Sequence, residues 1–414
     1  MSILTLIVGT ILFLIGIILF MKLNTCYYPV CFFFIKFIAG RIMDFERVRN
    51  QVSFQLIILF FIILIVIFKD KEVLTIKDLF FYRIILLSCC FLFLNIVLGL
   101  IDGHSWFQVL IDSYKYIEIF VFYFLFRICW KDNIALFKGI RAFCYFMISA
   151  GIIEIFITSR GGVGLNLIMS LFPMIVLLAL NGYIKCYKII VIVSIIVVVI
   201  CQTRTYIIGF IIGFVMMLKF LSKEKRTTML NFLFLLGIIT VIVFSFTNTS
   251  LFSDTISRFL ELSEGFDESG GYRIDEYIIA IEKFIERPIF GNGFGYLQYM
   301  YIGKMGWMNW GDFIHCMYIE ILFKTGVIGL ISIFIIIGSF ISKIVQQMKY
   351  FRKQDEFIFA ICCGGLCSFI TWGVTYTFAP LTTYGSMFVG VIIASIALSN
   401  YYNESKKVGV KNEV

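Results

Sequence analysis

The sequence predicts an all-α, polytopic membrane fold of about 12 transmembrane helices with one large outer-face loop, and three observations carry that prediction. Hydrophobic residues make up 61% of the 414 and charged residues 15%. With a mean hydropathy of +0.98, the chain has more apolar surface than a soluble globule of this length can bury. The apolar residues fall in runs suited to a bilayer core of roughly 30 Å, which needs about 20 of them per helix. The whole chain holds only four prolines to interrupt such runs.

The first run, Ser2 to Met21, has no basic n-region and no small-residue cleavage site, so it reads as a retained helix. With 3–21 as the first, the others lie at about 54–68, 84–101, 107–129, 142–158, 165–182, 189–201, 206–218, 229–247, 318–342, 357–377 and 383–399. Residues 26–39 form a shorter stretch that carries Lys36, readable as a span or as an interfacial or re-entrant segment. The 48 Phe and 21 Tyr suit lipid-facing and interfacial positions and need no cofactor to explain them. Most of the 12 cysteines sit in or beside apolar runs as small apolar residues. With two histidines and no paired CxxC, neither a metal nor a cofactor is expected.

Orientation follows from basic residues in the short loops. Lys69, Lys71 and Lys77, then Lys131, Lys138 and Arg141, then Lys185 and Lys188, then Lys223, Lys225 and Arg226, then Lys343, Lys349, Arg352 and Lys353 all fall on one side, read as cytoplasmic. Alternation puts Asp102 to Trp106, Ser159 to Gly164, Gln202 to Arg204 and the long stretch Asn248 to His315 on the other. Lys22, Arg41, Arg47 and Arg49 break the rule near the N-terminus. Three units result: N-terminal helices over 1–247, a large extracytoplasmic loop over 248–316, and C-terminal helices with a cytoplasmic tail over 317–414.

The loop differs in kind from the rest. Asn248 to His315 holds ten acidic and five basic residues, net −5 in a chain of +9, as an exported segment would. Within it, Gly271 to Arg287 places Ile274, Tyr277, Ile278, Ile281, Phe284 and Ile285 at the spacing of an amphipathic helix, and Pro288 follows its end. Gly291, Gly293 and Gly295 come next; no strand precedes them, so they read as a backbone turn and not as a dinucleotide fingerprint. Tyr296, Tyr299, Tyr301, Trp307 and Trp310 add an aromatic patch. Helix, turn and aromatics together suggest a lid on the outer membrane surface.

Arg273, the amphipathic helix, PIFGNGFG at Pro288 to Gly295 and His315 opening MYIEILFKTGVIGL form an ordered set. With TSRGGVGLN from Thr158 and QTRT from Gln202 upstream, the set resembles the signature of the O-antigen polymerase and ligase family. Two positions depart from it: Tyr277 stands where a tryptophan is frequent, and Cys316 follows His315 where an asparagine is common. The resemblance implies metal-independent glycosyl transfer at the outer face of a bacterial cytoplasmic membrane. The donor would be a polyprenyl-diphosphate-linked oligosaccharide, the acceptor a glycan, with polymerisation favoured over ligation. Polysaccharide-assembly proteins are candidate partners, and nucleic acid is not. Arg160, Arg204 and Arg273 would hold the diphosphate, since guanidinium stays charged and forks to phosphate oxygens. His315 would take the acceptor proton, because histidine titrates near neutrality. Lys115, Tyr277, Trp307 and Trp310 are candidate substrate contacts.

Each assignment has a plainer counterpart. Arg160 and Arg204 at helix ends can snorkel to headgroups, Arg273 can be a solvated residue, and His315 can cap a helix. Asp275, Glu276 and Asp312 are alternative bases. Asp112, Lys115 and Glu118 lie in one apolar run and can pair within it. His104 reads as structural. A flippase of lipid-linked oligosaccharide is the competing class, but transporters are commonly built from internal repeats, whereas here one loop dominates.

Overall fold

The computed structural model describes residues 23–34, 79–157, 163–185, 187–200, 204–247, 268–302, 306–311, 314–377 and 385–412. Ten of the twelve apolar runs overlap its helices, and those at 3–21 and 54–68 lie outside the described residues. The helices are α1 (Leu79–Ile101), α2 (Trp106–Cys129), α3 (Asn133–Ile157), α4 (Val163–Leu180), α5 (Tyr187–Ile200), α6 (Arg204–Phe220) and α7 (Lys223–Thr247). After them come α8 (Glu268–Glu286), the strands β1 (Gln298–Ile302) and β2 (Gly306–Trp310), and α9 (Met317–Gln354), α10 (Glu356–Thr375) and α11 (Gly385–Asn412). The protein is a membrane protein of mainly helical structure. In lipid a helix satisfies its own backbone polar groups, which is why runs this apolar adopt it. Among the described residues, Asn133–Ile153, Met317–Gln354 and Glu356–Thr375 are long and apolar enough to cross a bilayer; the other apolar helices are shorter.

Helix α10 is the hub, packed against α4, α6 and α11. Small residues permit the approach: a Cβ on Gly364 would strike Met174 of α4, and one on Gly365 would lie 2.5 Å from the carbonyl oxygen of Gly390 on α11. In lipid, such close backbone contact replaces the hydrophobic drive of aqueous packing. A second packing centre is aromatic. Trp130 stacks on Phe126 at 4.7 Å, donates to the Cys26 carbonyl at 2.8 Å, and lies beside Phe143. The short helical segment Thr25–Phe34 inserts Phe33 among Phe122, Phe126 and Phe143. This part of the doubtful 26–39 stretch is therefore bundle core; Lys36 lies outside the described residues.

Two sequence expectations are corrected. The loop contains an antiparallel hairpin, β1 with β2 in the register Gln298↔Trp310 to Ile302↔Gly306, so this part is not α. The aromatic residues Tyr299, Tyr301 and Trp307 have high strand propensity, and pairing puts Tyr301 opposite Trp307. His315 does not open α9 either. Cys316 is the N-cap, Met317 is the first helical residue, and α9 extends well past the expected end at 342.

Candidate active site

The site is organised by a break in α9. Gly326 has φ 63° and ψ −167°, a conformation essentially confined to glycine. A helix interrupted there leaves backbone groups without intrahelical partners, and at membrane depth they must be satisfied within the protein. The PIFGNGFG segment satisfies them. Val327 and Ile328 donate to the carbonyls of Pro288 and Ile289 at 3.0 and 3.2 Å, while Asn292 and Gly293 donate to those of Phe323 and Lys324 at 3.0 and 2.9 Å. The Asn292 side chain adds a bond to the Phe323 carbonyl at 3.1 Å. Gly291, with φ 71°, has no room for a side chain, since a Cβ would lie 2.5 Å from the Gly326 nitrogen. The glycine motif is thus a backbone plug, and its Phe294 is buried, stacked on Tyr116 at 5.1 Å. His104, expected to be structural, donates to the Asn292 carbonyl at 3.1 Å.

Beside the plug lies a buried quartet of charges. Lys115 of α2 meets Glu320 of α9 at 2.6 Å, and Lys324 of α9 meets Asp112 of α2 at 2.7 Å. Asp112 also accepts the Gly295 N–H at 2.8 Å, tying the plug to α2. The expected pairing of Lys115 with Asp112 in its own helix is present but longer than the pair that Lys115 makes with Glu320. Its closest partner is on α9, the Asp112 carboxylate is 3.7 Å away, and Glu118 accepts instead from Tyr114 at 3.4 Å. Unpaired charges in hydrocarbon are costly, so two cations and two anions meeting across a helix interface is the arrangement this depth tolerates. The cross-helix signal was present in the sequence as Glu320 and Lys324, four apart in an apolar run.

His315 sits between α8 and the start of α9. Its backbone N–H donates to Glu276 Oε2 at 3.0 Å and its Nδ1 to the same oxygen at 2.9 Å. Tyr277 donates its hydroxyl to the His315 carbonyl at 2.8 Å. The carboxylate accepts from Nδ1–H, so the neutral imidazole has Nε2 as its acceptor nitrogen. A base oriented by a third group in this way is the arrangement of activated hydroxyl chemistry. Glu276 is buried and His315 nearly so, with side-chain exposures of 8% and 13%. Burial raises the neighbouring Cys316 thiol above the usual range, which keeps it protonated at neutral pH and unsuited to nucleophilic attack.

The remaining predicted residues separate. Arg273 lies on α8 one turn before Glu276 and Tyr277, in the second turn of the helix and not the first, because α8 begins at Glu268. Arg204 is the first residue of α6; Arg160 and Asp312 lie outside the described residues. Trp307 is 64% exposed and stacked on Tyr299 at 5.5 Å, whereas Trp310 is buried against Phe323 at 5.0 Å. Tyr277 and Lys115, both candidate substrate contacts, have the protein partners just described. Among the described residues no three His, Cys, Asp or Glu side chains gather as metal ligands.

Residues 189–334, from α5 through the α9 break, match the family model described as O-antigen ligase. No curated protein matches the chain. The matched segment contains Arg204, Arg273, Glu276, the plug, the hairpin and His315, and excludes Arg160 and the α2 half of the charge quartet.

Proposed function

From the match of residues 189–334 to the O-antigen ligase family model, we propose a membrane glycosyltransferase that polymerises or ligates lipid-linked oligosaccharide repeat units, with polymerisation favoured. It works from a multi-pass position at the outer face of a bacterial cytoplasmic membrane. The observation that carries the reading is the Glu276–His315 pair, set within the matched segment beside the first turn of an apolar helix. The acceptor hydroxyl oxygen attacks the anomeric carbon of the donor sugar, and its proton passes to His315 Nε2. The bond from that carbon to the diphosphate oxygen breaks, and polyprenyl diphosphate leaves with the electron pair. Glu276 positions the imidazole through its Nδ1. Arg160, Arg204 and Arg273 stabilise the negative charge of the diphosphate as it leaves. Trp307 and its tyrosine neighbours offer a face for a sugar ring of the acceptor.

A transporter reading draws on the broken helix α9, since discontinuous helices line transporter sites. Here the break is filled by the backbone of Pro288 to Gly293, which favours the enzyme.

The test is glycan transfer by purified protein in proteoliposomes with lipid-linked donor. His315→Ala and His315→Gln are expected to lose about 10²–10⁴-fold in kcat with donor binding retained. Glu276→Gln keeps an acceptor oxygen and loses the charge, so it should lower kcat and leave KM nearly unchanged. Ala at each arginine should weaken donor use, with only partial rescue by Lys. Near-normal transfer by the His315 variants would end the base assignment.

A further inference from the structure

Helix α8 is the most amphipathic of the described helices, yet its apolar stripe does not face the protein. Ile274, Ile278, Ile281 and Ile285, spaced four, three and four apart, form one line and are all exposed, Ile285 at 65%. The face turned to the protein carries Glu276 and Ala280, both buried, about 140° round the helix from the isoleucines. The acidic residues Asp275, Glu282 and Glu286 are also exposed, about 90° from the stripe on its other side. The helix thus has three faces, one for the protein, one apolar and one charged. A helix in water would not leave four isoleucines in a line on an outer face, and a span would not carry three acids.

What covers the stripe can be read from its continuation. Ile289 and Phe290, just past the end of α8, are exposed, and backbone bonds from Val327 and Ile328 to Pro288 and Ile289 fix them against α9. On α9, itself long and apolar enough to cross a bilayer, Val327, Ile328, Ile331, Phe334 and Ile335 are exposed in turn. The isoleucine stripe is thus followed, through Ile289 and Phe290, by the exposed apolar residues of a helix long and apolar enough to cross a bilayer.

We propose that α8 is an in-plane docking helix whose isoleucine stripe is seated among lipid acyl chains, and that this seating sets the depth of the Glu276–His315 pair. Its partner is the bilayer and its chemistry is acyl-chain burial, with Asp275, Glu282 and Glu286 directed to the aqueous side. Glu276 and Tyr277 lie on the same helix and hold His315, so the stripe places the pair at headgroup level. The seating rests on the exposure pattern alone. Its role in placing a base rests on the transfer reading.

The test uses the full chain without native cysteines, with a nitroxide at Ile274→Cys, Ile278→Cys, Ile281→Cys or Ile285→Cys, and at Asp275→Cys or Glu282→Cys. Each is reconstituted in vesicles of phosphatidylethanolamine and phosphatidylglycerol. Collisions with oxygen, which partitions into lipid, are expected to exceed those with a water-soluble nickel chelate several-fold at the isoleucine sites. The ratio reverses at the acidic sites. Nickel dominating at the stripe would overturn the proposal in favour of a helix in water. Low collision rates with both would overturn it in favour of a second copy or another protein covering the stripe. Should the cysteine-free chain not fold, quenching of Ile281→Trp by brominated lipid, against the unsubstituted chain, decides the same question. Neither measurement reads activity, so failure here leaves the transfer reading standing, and near-normal transfer by the His315 variants leaves the seating untouched.

Discussion

Replacing Lys115 by Met removes one charge from the buried quartet and should destabilise the protein more than any surface change. Lys115 Nζ and Glu320 Oε1 are 2.6 Å apart, with side chains 4% and 0% exposed. Once Lys115 is gone, the cation nearest Glu320 is Lys324 at 3.8 Å, which already serves Asp112 at 2.7 Å. Breaking a buried pair by removing one partner costs about 3–5 kcal/mol, because the other is left charged and desolvated. Removing both, as in Lys115→Met with Glu320→Leu, leaves the Lys324–Asp112 pair intact and should recover most of that loss. The expected coupling is about 2–3 kcal/mol. The assay is denaturant unfolding in mixed micelles of the two single variants, the double variant and the parent. Single effects that simply add, or a Lys115→Met variant as stable as the parent, would refute the pairing argument. Transfer assays on the same four proteins decide the other role considered for Lys115. If it contacts phosphate, the double variant regains stability and not activity.

Two further outcomes follow from the geometry. Gly326→Ala forces a Cβ to 2.6 Å from the Gly291 nitrogen in a backbone conformation that itself costs a side-chain-bearing residue about 1–3 kcal/mol; a lowered unfolding midpoint with weakened protection of the Val327 and Ile328 amides in hydrogen exchange is expected, and unchanged protection would count against the plug. Trp310→Ala should cost about 3–5 kcal/mol as a buried aromatic, whereas Trp307→Ala should stay within about 0.5 kcal/mol of the parent and raise KM for the glycan acceptor, so equal stability losses would contradict the hairpin's two faces.

The amphipathic helix was legible because six apolar residues from Ile274 to Ile285 repeat with the helical period, and α8 covers them all. Which way the stripe points was not legible, since periodicity gives a face and no direction. The hairpin escaped because its strands are five residues each, too short for alternation to stand out among scattered aromatics. Trp307 and Trp310 look equivalent in sequence. An odd separation within a strand turns them to opposite faces, one exposed and one in the core. For His315 the sequence offered three carboxylates as rival bases, and only packing showed that Glu276 serves the histidine.

Composition alone determined the solvent, because an apolar fraction of 61% has no other place to go. The order of arginines, glycines and histidine carried the family resemblance, because each residue type offers a chemistry that depends little on its surroundings, and residues 189–334 match that family's model. Partnership was decided by tertiary structure. Lys115 and Glu320 are 205 residues apart, Glu276 and His315 are 39 apart, and the glycine turn meets a helix break more than thirty residues on. Such contacts follow from which faces of which helices meet, and that depends on close packing over the whole bundle, a property no local window of sequence contains.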